Sequence, residues 1–291
     1  MNRTNRCLLS AFLFLSVSLY AGWSFVWPAG VADAERADTF FGHDSIQQPK
    51  VVNGSDGQTG RDPSLDPSLL SAMLLAKDPV QAAVQFSRTQ WLDGSMNNSP
   101  DVVILADPQD KPGALAASRL LLFSKNGTML FTGKYVTPEA TLIELVRLRP
   151  SGLASQSGVQ VIAAGDIHQR VIDQLRRLGL RTERIHAAAP EALAGAVDAY
   201  TAQLSGKHNR AVIMLPLDQK PFSSSMLHLL QEKEGSLLFV KRFFIPRETL
   251  QALEQRDGGS NIYIPASLEA VSRQVERRLQ RYGEVTRISG D

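Results

Sequence analysis

VVILADPQDKPGALAASRLLL, residues 102–122, reads as a strand, a polar turn closed by Lys111-Pro112, and a helix rich in Ala and Leu. An unbroken apolar run of this length is typical of a strand covered on both faces. The layout returns at residues 212–230, VIMLPLDQKPFSSSMLHLL, where the Lys-Pro pair stands as Lys220-Pro221. Gly127 and Gly235 are 108 residues apart, and so are Pro138 and Pro246. A spacing held at two such positions marks an internal repeat.

Around these two stretches helix and strand alternate. In the first half, Asp78-Pro79 opens a helix, and strands are expected at 101–106, 128–131, 160–163 and 182–185. Thr137 is the expected N-cap of a helix beginning at Pro138 and running through Leu148. Val171, Ile172, Leu175 and Leu178 form one helical face that Gly179 ends. The second half follows suit, with helices over 190–203 and from Pro246, strands at 211–215, 237–240 and 261–264, and a helix over 268–281 stopped by Gly283. Such alternation predicts an α/β fold, two similar lobes with mostly parallel sheets covered by helices.

The beginning of the chain reads differently. Arg3 and Arg6 precede an apolar run from Leu8 to Val26, and Ala32-Asp33-Ala34 has the form of a signal-peptidase site. Residues 1–34 are expected to be a signal peptide or an N-terminal anchor, the one part of the chain that would touch a membrane. Residues 35–77, with Gly, Asp, Ser and Pro and no apolar period, are expected to be a flexible spacer. The repeats are then assigned to 78–186 and 187–291. Cys7 is the sole cysteine and lies at the start of the apolar run, so the exported part has no thiol chemistry.

The order of motifs resembles the cell wall-binding repeat 2 family of Gram-positive surface proteins. In that family a strand leads to a Phe-Pro-Asp-Ala-Leu-Ala-Ala helix, and an Ala-Val-Ser helix and an Arg-Ile-x-Gly segment close the unit. Pro112, Ala114, Leu115, Ala116 and Ala117 match the first motif; Ala270-Val271-Ser272 and Arg287-Ile288-Ser289-Gly290 match the later ones, as Arg184-Ile185 does in the first repeat. The resemblance covers about residues 78–291. It implies two tandem Toprim-like or Rossmann-like repeats and non-covalent association with the wall. The chain departs from the pattern at Gly113, which replaces the motif's Asp, and after Lys220-Pro221, where Phe222-Ser223-Ser224-Ser225 keeps little of it. Family members commonly carry three repeats, so a homo-oligomer is an expected way of completing the assembly.

The charged residues support that expectation. Arg170, Arg176, Arg177, Arg181 and Arg184 in one repeat correspond to Arg273, Arg277, Arg278, Arg281 and Arg287 in the other. Planar guanidinium groups suit the phosphates and carboxylates of an anionic cell-wall polysaccharide or teichoic-type polymer. The polymer-contacting residues expected are Lys111, Lys220, Arg176, Arg177, Arg184, Arg277, Arg278 and Arg287. Both lysines lie at strand-to-helix turns, where open α/β sheets bind ligands. Neither turn has a nucleotide-cradling glycine pattern, so no cofactor is expected, and nucleic acid is not an expected partner. The histidines lack metal-ligand spacing, and the serines lack a nucleophile elbow, so no metal site and no enzyme activity are expected. Trp91, Tyr135 and Tyr200 are too dispersed to be read as a sugar-stacking platform. The rival reading is an extracytoplasmic binding protein holding a small sugar or anion between the two lobes.

Overall fold

The computed structural model describes residues 66–92, 99–124, 126–218, 223–256 and 259–288. The export segment, Cys7 and His43 therefore lie outside the described residues. Among those described, the chain builds two four-stranded sheets that are parallel throughout, confirming the α/β expectation.

The first sheet contains β1 (Val102–Ala106), β2 (Gly127–Phe131), β3 (Val161–Gly165) and β4 (Thr182–His186), in the order β2-β1-β3-β4. The second contains β5 (Ala211–Pro216), β6 (Ser236–Val240), β7 (Ser260–Ile264) and β8 (Gly283–Arg287), in the order β6-β5-β7-β8. Every residue of β1, β2, β3 and β6 is buried, as helices on both faces of a parallel sheet require. The edge strands β4 and β8 are mostly half-buried or exposed, and their sequences are correspondingly polar.

Helices fill the connections: α1 (Pro67–Leu75), α2 (Pro79–Gln90), α3 (Lys111–Ser118), α4 (Glu139–Leu148), α5 (Gln169–Arg177), α6 (Pro190–Ser205), α7 (Ser224–Glu232), α8 (Arg247–Glu254) and α9 (Arg273–Leu279). The equivalence of the repeats extends to single hydrogen bonds. The buried hydroxyl of Thr141 donates to the carbonyl of Phe131 at 2.7 Å, and that of Thr249 donates to the carbonyl of Phe239 at 2.6 Å. Each bond ties the third helix of its repeat to the end of the second strand.

Three boundaries differ from the sequence reading. The stretch read as spacer to residue 77 contains α1: Asp66 caps it through the amide of Ser68, Pro67 occupies its first turn, and Leu70, Met73 and Leu74 are buried. Thr137 is not a cap, because its hydroxyl is buried against that of Thr132, and α4 starts one residue later behind Pro138. The helix expected over 268–281 begins only after Ser272, whose hydroxyl caps the amide of Val275; Leu268, the expected first residue of that helix, lies outside it and is exposed.

α6 joins the repeats. It packs on β6 and α8 of its own repeat and on α3 and β3 of the first. α1 makes the matching connection at the other end, packing on α2 of the first repeat and α7 of the second. The Gln231 amide donates to the Asp66 carboxylate at 2.9 Å across that contact.

Candidate functional site

In the first sheet β1 and β3 are neighbours, and the chain leaves them toward opposite edges, to β2 and to β4. Ligands of open α/β sheets bind in the crevice at the carboxyl ends of such a strand pair. Here that crevice is an open hollow of about 300 Å³, whose lining includes Asp107, Asp110, Gly113, Lys134, Gly165 and Asp166.

Asp110 is the N-cap of α3 and accepts a hydrogen bond from the Gly113 amide at 3.0 Å. Burial pushes its carboxyl above the ordinary carboxylate range, against the pull of that amide, and Asp107, Glu191 and Asp166 push the same way as burial. A Cβ added at Gly113 would sit 2.1 Å from the Asp110 carboxylate. Asp110 therefore fills the space that a side chain at 113 would occupy, which is the local reason a glycine stands there.

Lys134, in the loop after β2, closes the hollow with an ion pair to Asp166 at 2.5 Å. The hydrogen bond from Lys134 holds the Asp166 carboxyl below its usual range, and the same bond raises the lysine. Beside it Tyr135 is exposed, its ring 5.4 Å from that of His168. Among the described residues no cluster of His, Cys, Asp and Glu could hold a metal ion.

The polymer-contacting residues expected from sequence fall in separate places. Arg176 and Arg177 are exposed on the last turn of α5, and Arg277 and Arg278 on the last turn of α9. Arg184 lies on β4, where its guanidinium donates to His186 at 2.9 Å and to Gln169 at 3.4 Å. Arg277 and Arg287 come together, with Arg273, around an open groove that also includes Glu276 and Leu268. Arg287 is fully engaged there: it pairs with Glu276 at 2.7 Å and donates to the carbonyls of Ala266, Ser267 and Val271. Its role in this structure is to fasten β8 to the turn before α9. Lys111 is half-buried at the start of α3 and is not part of the hollow's lining. Lys220 lies outside the described residues.

Sequence reasoning missed one repeated feature. GKYVTP at 133–138 and KRFFIP at 241–246 occupy equivalent positions after β2 and β6. Each forms a tight turn with exposed large apolar side chains at its tip. The signal was available in the same spacing of 108 that relates Pro138 to Pro246. Trp91 and Tyr200, grouped with Tyr135 in the sequence reading, serve other ends. Trp91 is buried, and the Tyr200 hydroxyl donates to Glu183 at 2.7 Å.

No protein-family model matches the chain, and no curated protein matches it. Solved structures similar in fold include two from Clostridium difficile. Cwp6 from Clostridium difficile matches with a TM-score of 0.58 and 18% identity, over 75% of this chain and 33% of that one. Cwp8 from Clostridium difficile matches with a TM-score of 0.58 and 17% identity, over 74% and 35%. The chain thus spans about a third of the length of each. At this identity the likeness is one of fold.

Proposed function

We propose that this protein is an exported, non-catalytic component of the cell envelope that holds an anionic cell-wall polymer through its two α/β repeats. Residues 1–34 would direct export, and attachment would be non-covalent. The resemblance of the repeats to the cell wall-binding repeat 2 family, and the fold shared with Cwp6 and Cwp8, support the envelope part of this reading.

One observation carries the polymer part. Arg170, Arg176, Arg177 and Arg181 on and just after α5 are exposed, as are Arg273, Arg277, Arg278 and Arg281 on and just after α9. Both helices pack on the edge strand of their sheet, so the two repeats carry equivalent cationic margins. A solvated guanidinium bidentate to phosphate or carboxylate is a favourable contact, and several such contacts on one polymer add through their shared linkage.

The solute-binding alternative requires a cleft between the lobes. Where Arg119 meets Asp198, Asn209 and Gly235, the space left is about 10 Å³, room for roughly one water molecule. Small-molecule sites run to about 300–1,000 Å³. That junction is a packed interface, whereas the hollow of about 300 Å³ at the first sheet, lined also by Ala188, Pro190 and Leu193 of the second repeat, stands at the lower end of that range.

The test is co-sedimentation of the full-length protein with purified walls, with and without their anionic polymer. Retention should fall as salt rises, because exposed charges are screened beyond about 8 Å at physiological ionic strength. Retention that ignores both salt and removal of the polymer would overturn the reading.

A further inference from the structure

We infer that the turns at residues 133–136 and 241–244 are paired sugar-stacking contacts, one per repeat, for the rings of an acidic polysaccharide. This assignment rests on the wall-polymer reading and adds to it the groups that grip the sugar rather than its charge.

The first observation is exposure at equivalent positions. Tyr135 and Val136 are 56% and 67% exposed, and Phe243 and Phe244, 108 residues later, are 63% and 49% exposed. Large apolar side chains left in water forgo the gain of burial, so their recurrence at one place in both repeats calls for an occupant.

The second is rigidity. The Gly133 amide donates to the Val136 carbonyl at 3.1 Å, and the Lys241 amide donates to the Phe244 carbonyl at 3.0 Å. Each tip is also tied to the helix that follows the third strand: the His168 amide donates to the Lys134 carbonyl at 2.7 Å, and the Ser272 amide to the Arg242 carbonyl at 3.0 Å. These are the N-cap residues of α5 and α9. A ring held this way loses little freedom when a ligand stacks on it.

The third is chemistry. Lys134 lies 5.4 Å from the centre of the Tyr135 ring, Arg242 lies 4.9 Å from that of Phe243, and Lys241 lies 5.4 Å from that of Phe244. An aromatic face takes the C–H face of a pyranose, and Arg242 and Lys241 beside the second pair of rings take a carboxylate or phosphate on the same or the next residue, Lys134 being paired with Asp166. A lipid surface fits less well. The two tips expose only a pair of side chains each, little apolar surface to insert into a bilayer, and the hollow beside Tyr135 offers Asp107 and Asp110 as acceptors for sugar hydroxyls.

The test uses the full-length protein, purified walls, and vesicles of phosphatidylglycerol. Tyr135→Ala combined with Phe243→Ala should weaken wall binding by about tenfold, the size expected when two anchoring aromatics are truncated, with the salt dependence unchanged. Phe243→Tyr, which keeps a ring at that tip, should bind more tightly than Phe243→Ala. Replacing Arg176, Arg177, Arg277 and Arg278 with Ala should instead flatten the salt dependence. If the wild type sediments with walls and the double alanine variant matches it, the stacking assignment fails while the wall-polymer reading stands. If the wild type does not sediment, both fail. Vesicle binding that is stronger than wall binding and lost in the double variant would assign the tips to lipid and overturn the proposal.

Discussion

The guanidinium of Arg119, from the short 3-10 turn after α3, donates to the carbonyl of Gly235, just before β6, at 2.9 Å and 3.1 Å from two of its nitrogens. One of those nitrogens also donates to the Lys233 carbonyl at 3.0 Å. The contact joins the repeats through a buried cation whose hydrogen-bond partners are main-chain oxygens. Burial lowers its pKa to about 10, still high enough to keep it charged at neutral pH. Gly235 is held by its own surroundings, since a Cβ there would lie 2.8 Å from the Ala211 carbonyl. Arg119→Ala should cost about 1–3 kcal/mol, the penalty for stranding buried carbonyls. Arg119→Met should cost less, because it removes the buried charge while filling the space. Urea unfolding of both variants checks the ranking; equal losses would show that the volume filled by the side chain contributes little beside its hydrogen bonds.

A second buried pair lies between α6 and the end of α8. Arg256 donates to Asp198 and to the Ser236 hydroxyl, and through its Nε to the Asn209 carbonyl at 3.1 Å. Both members are nearly inaccessible to solvent. Asp198→Ala should therefore destabilise the fold by about 3–5 kcal/mol, because Arg256 would stay buried without its counter-charge. Adding Arg256→Met should recover part of that loss. A double-mutant cycle in urea measures the coupling, and strict additivity would contradict the pairing.

The first repeat has an ion pair in the corresponding place, with the acid and base on other elements. Glu144 of α4 accepts from the Ser87 hydroxyl of α2 at 2.6 Å and from Arg147 at 2.6 and 2.9 Å. Burial pushes its pKa up, but the hydrogen bonds from Arg147, Ser87 and Arg88 together outweigh burial, and the net shift is downward from 4.5. A carboxylate depressed in the folded state contributes stability above its unfolded pKa and loses it as pH falls through the folded one. Stability should thus fall below about pH 4.5 more steeply in the wild type than in Glu144→Gln. Parallel pH profiles of the two melting temperatures would remove Glu144 as a source of acid sensitivity.

How much of this was legible depended on the range of the interactions. The strands announced themselves because runs such as VVILA and LLFV are apolar throughout, whereas their order in each sheet was not read from the sequence. Helix starts were missed where a capping residue sat inside a run read as periodic: Ser272 interrupts what looked like one helix from Leu268. Arg287 looked like a solvated cation because its partners Ala266, Val271 and Glu276 lie 11 to 21 residues away. Arg119 hid for the same reason at a separation of 116. Tyr135 was set aside because it was compared with other aromatic residues along the chain and not with Phe243 at the repeat spacing.

Gly113 offers a reciprocal test of the first hollow. Gly113→Asp introduces the aspartate of the motif that this stretch resembles but places its Cβ against the Asp110 carboxylate. The cap should break, costing about 1–2 kcal/mol, with like-charge repulsion added. Asp110→Ala alone should cost about 1 kcal/mol through loss of the cap. The double substitution should be less damaging than Gly113→Asp alone, because the new carboxylate then has the space to itself. Thermal melts of the three variants decide this; a double variant worse than either single one would show that the two positions do not share the site.

The last prediction concerns α1, which the sequence reading assigned to a spacer. Leu74 is 2% exposed, and the helix bridges α2 and α7, one from each repeat. α6 and α3, their counterparts in the other repeat, pack directly on each other. α1 therefore covers the pair of helix surfaces that remains after the repeats have joined, and it does so with a single turn-and-a-half of apolar contacts from Leu70 to Leu74. Leu74→Ala should cost about 2–5 kcal/mol, the range for a buried leucine. Leu74→Asp should go further and detach the helix, leaving apolar surface on α2 and α7 open to a second copy of the chain. Light scattering should then show concentration-dependent association for Leu74→Asp but not for the wild type. An aspartate variant that remains as monomeric and as stable as the wild type would mean that α1 is dispensable to the two repeats.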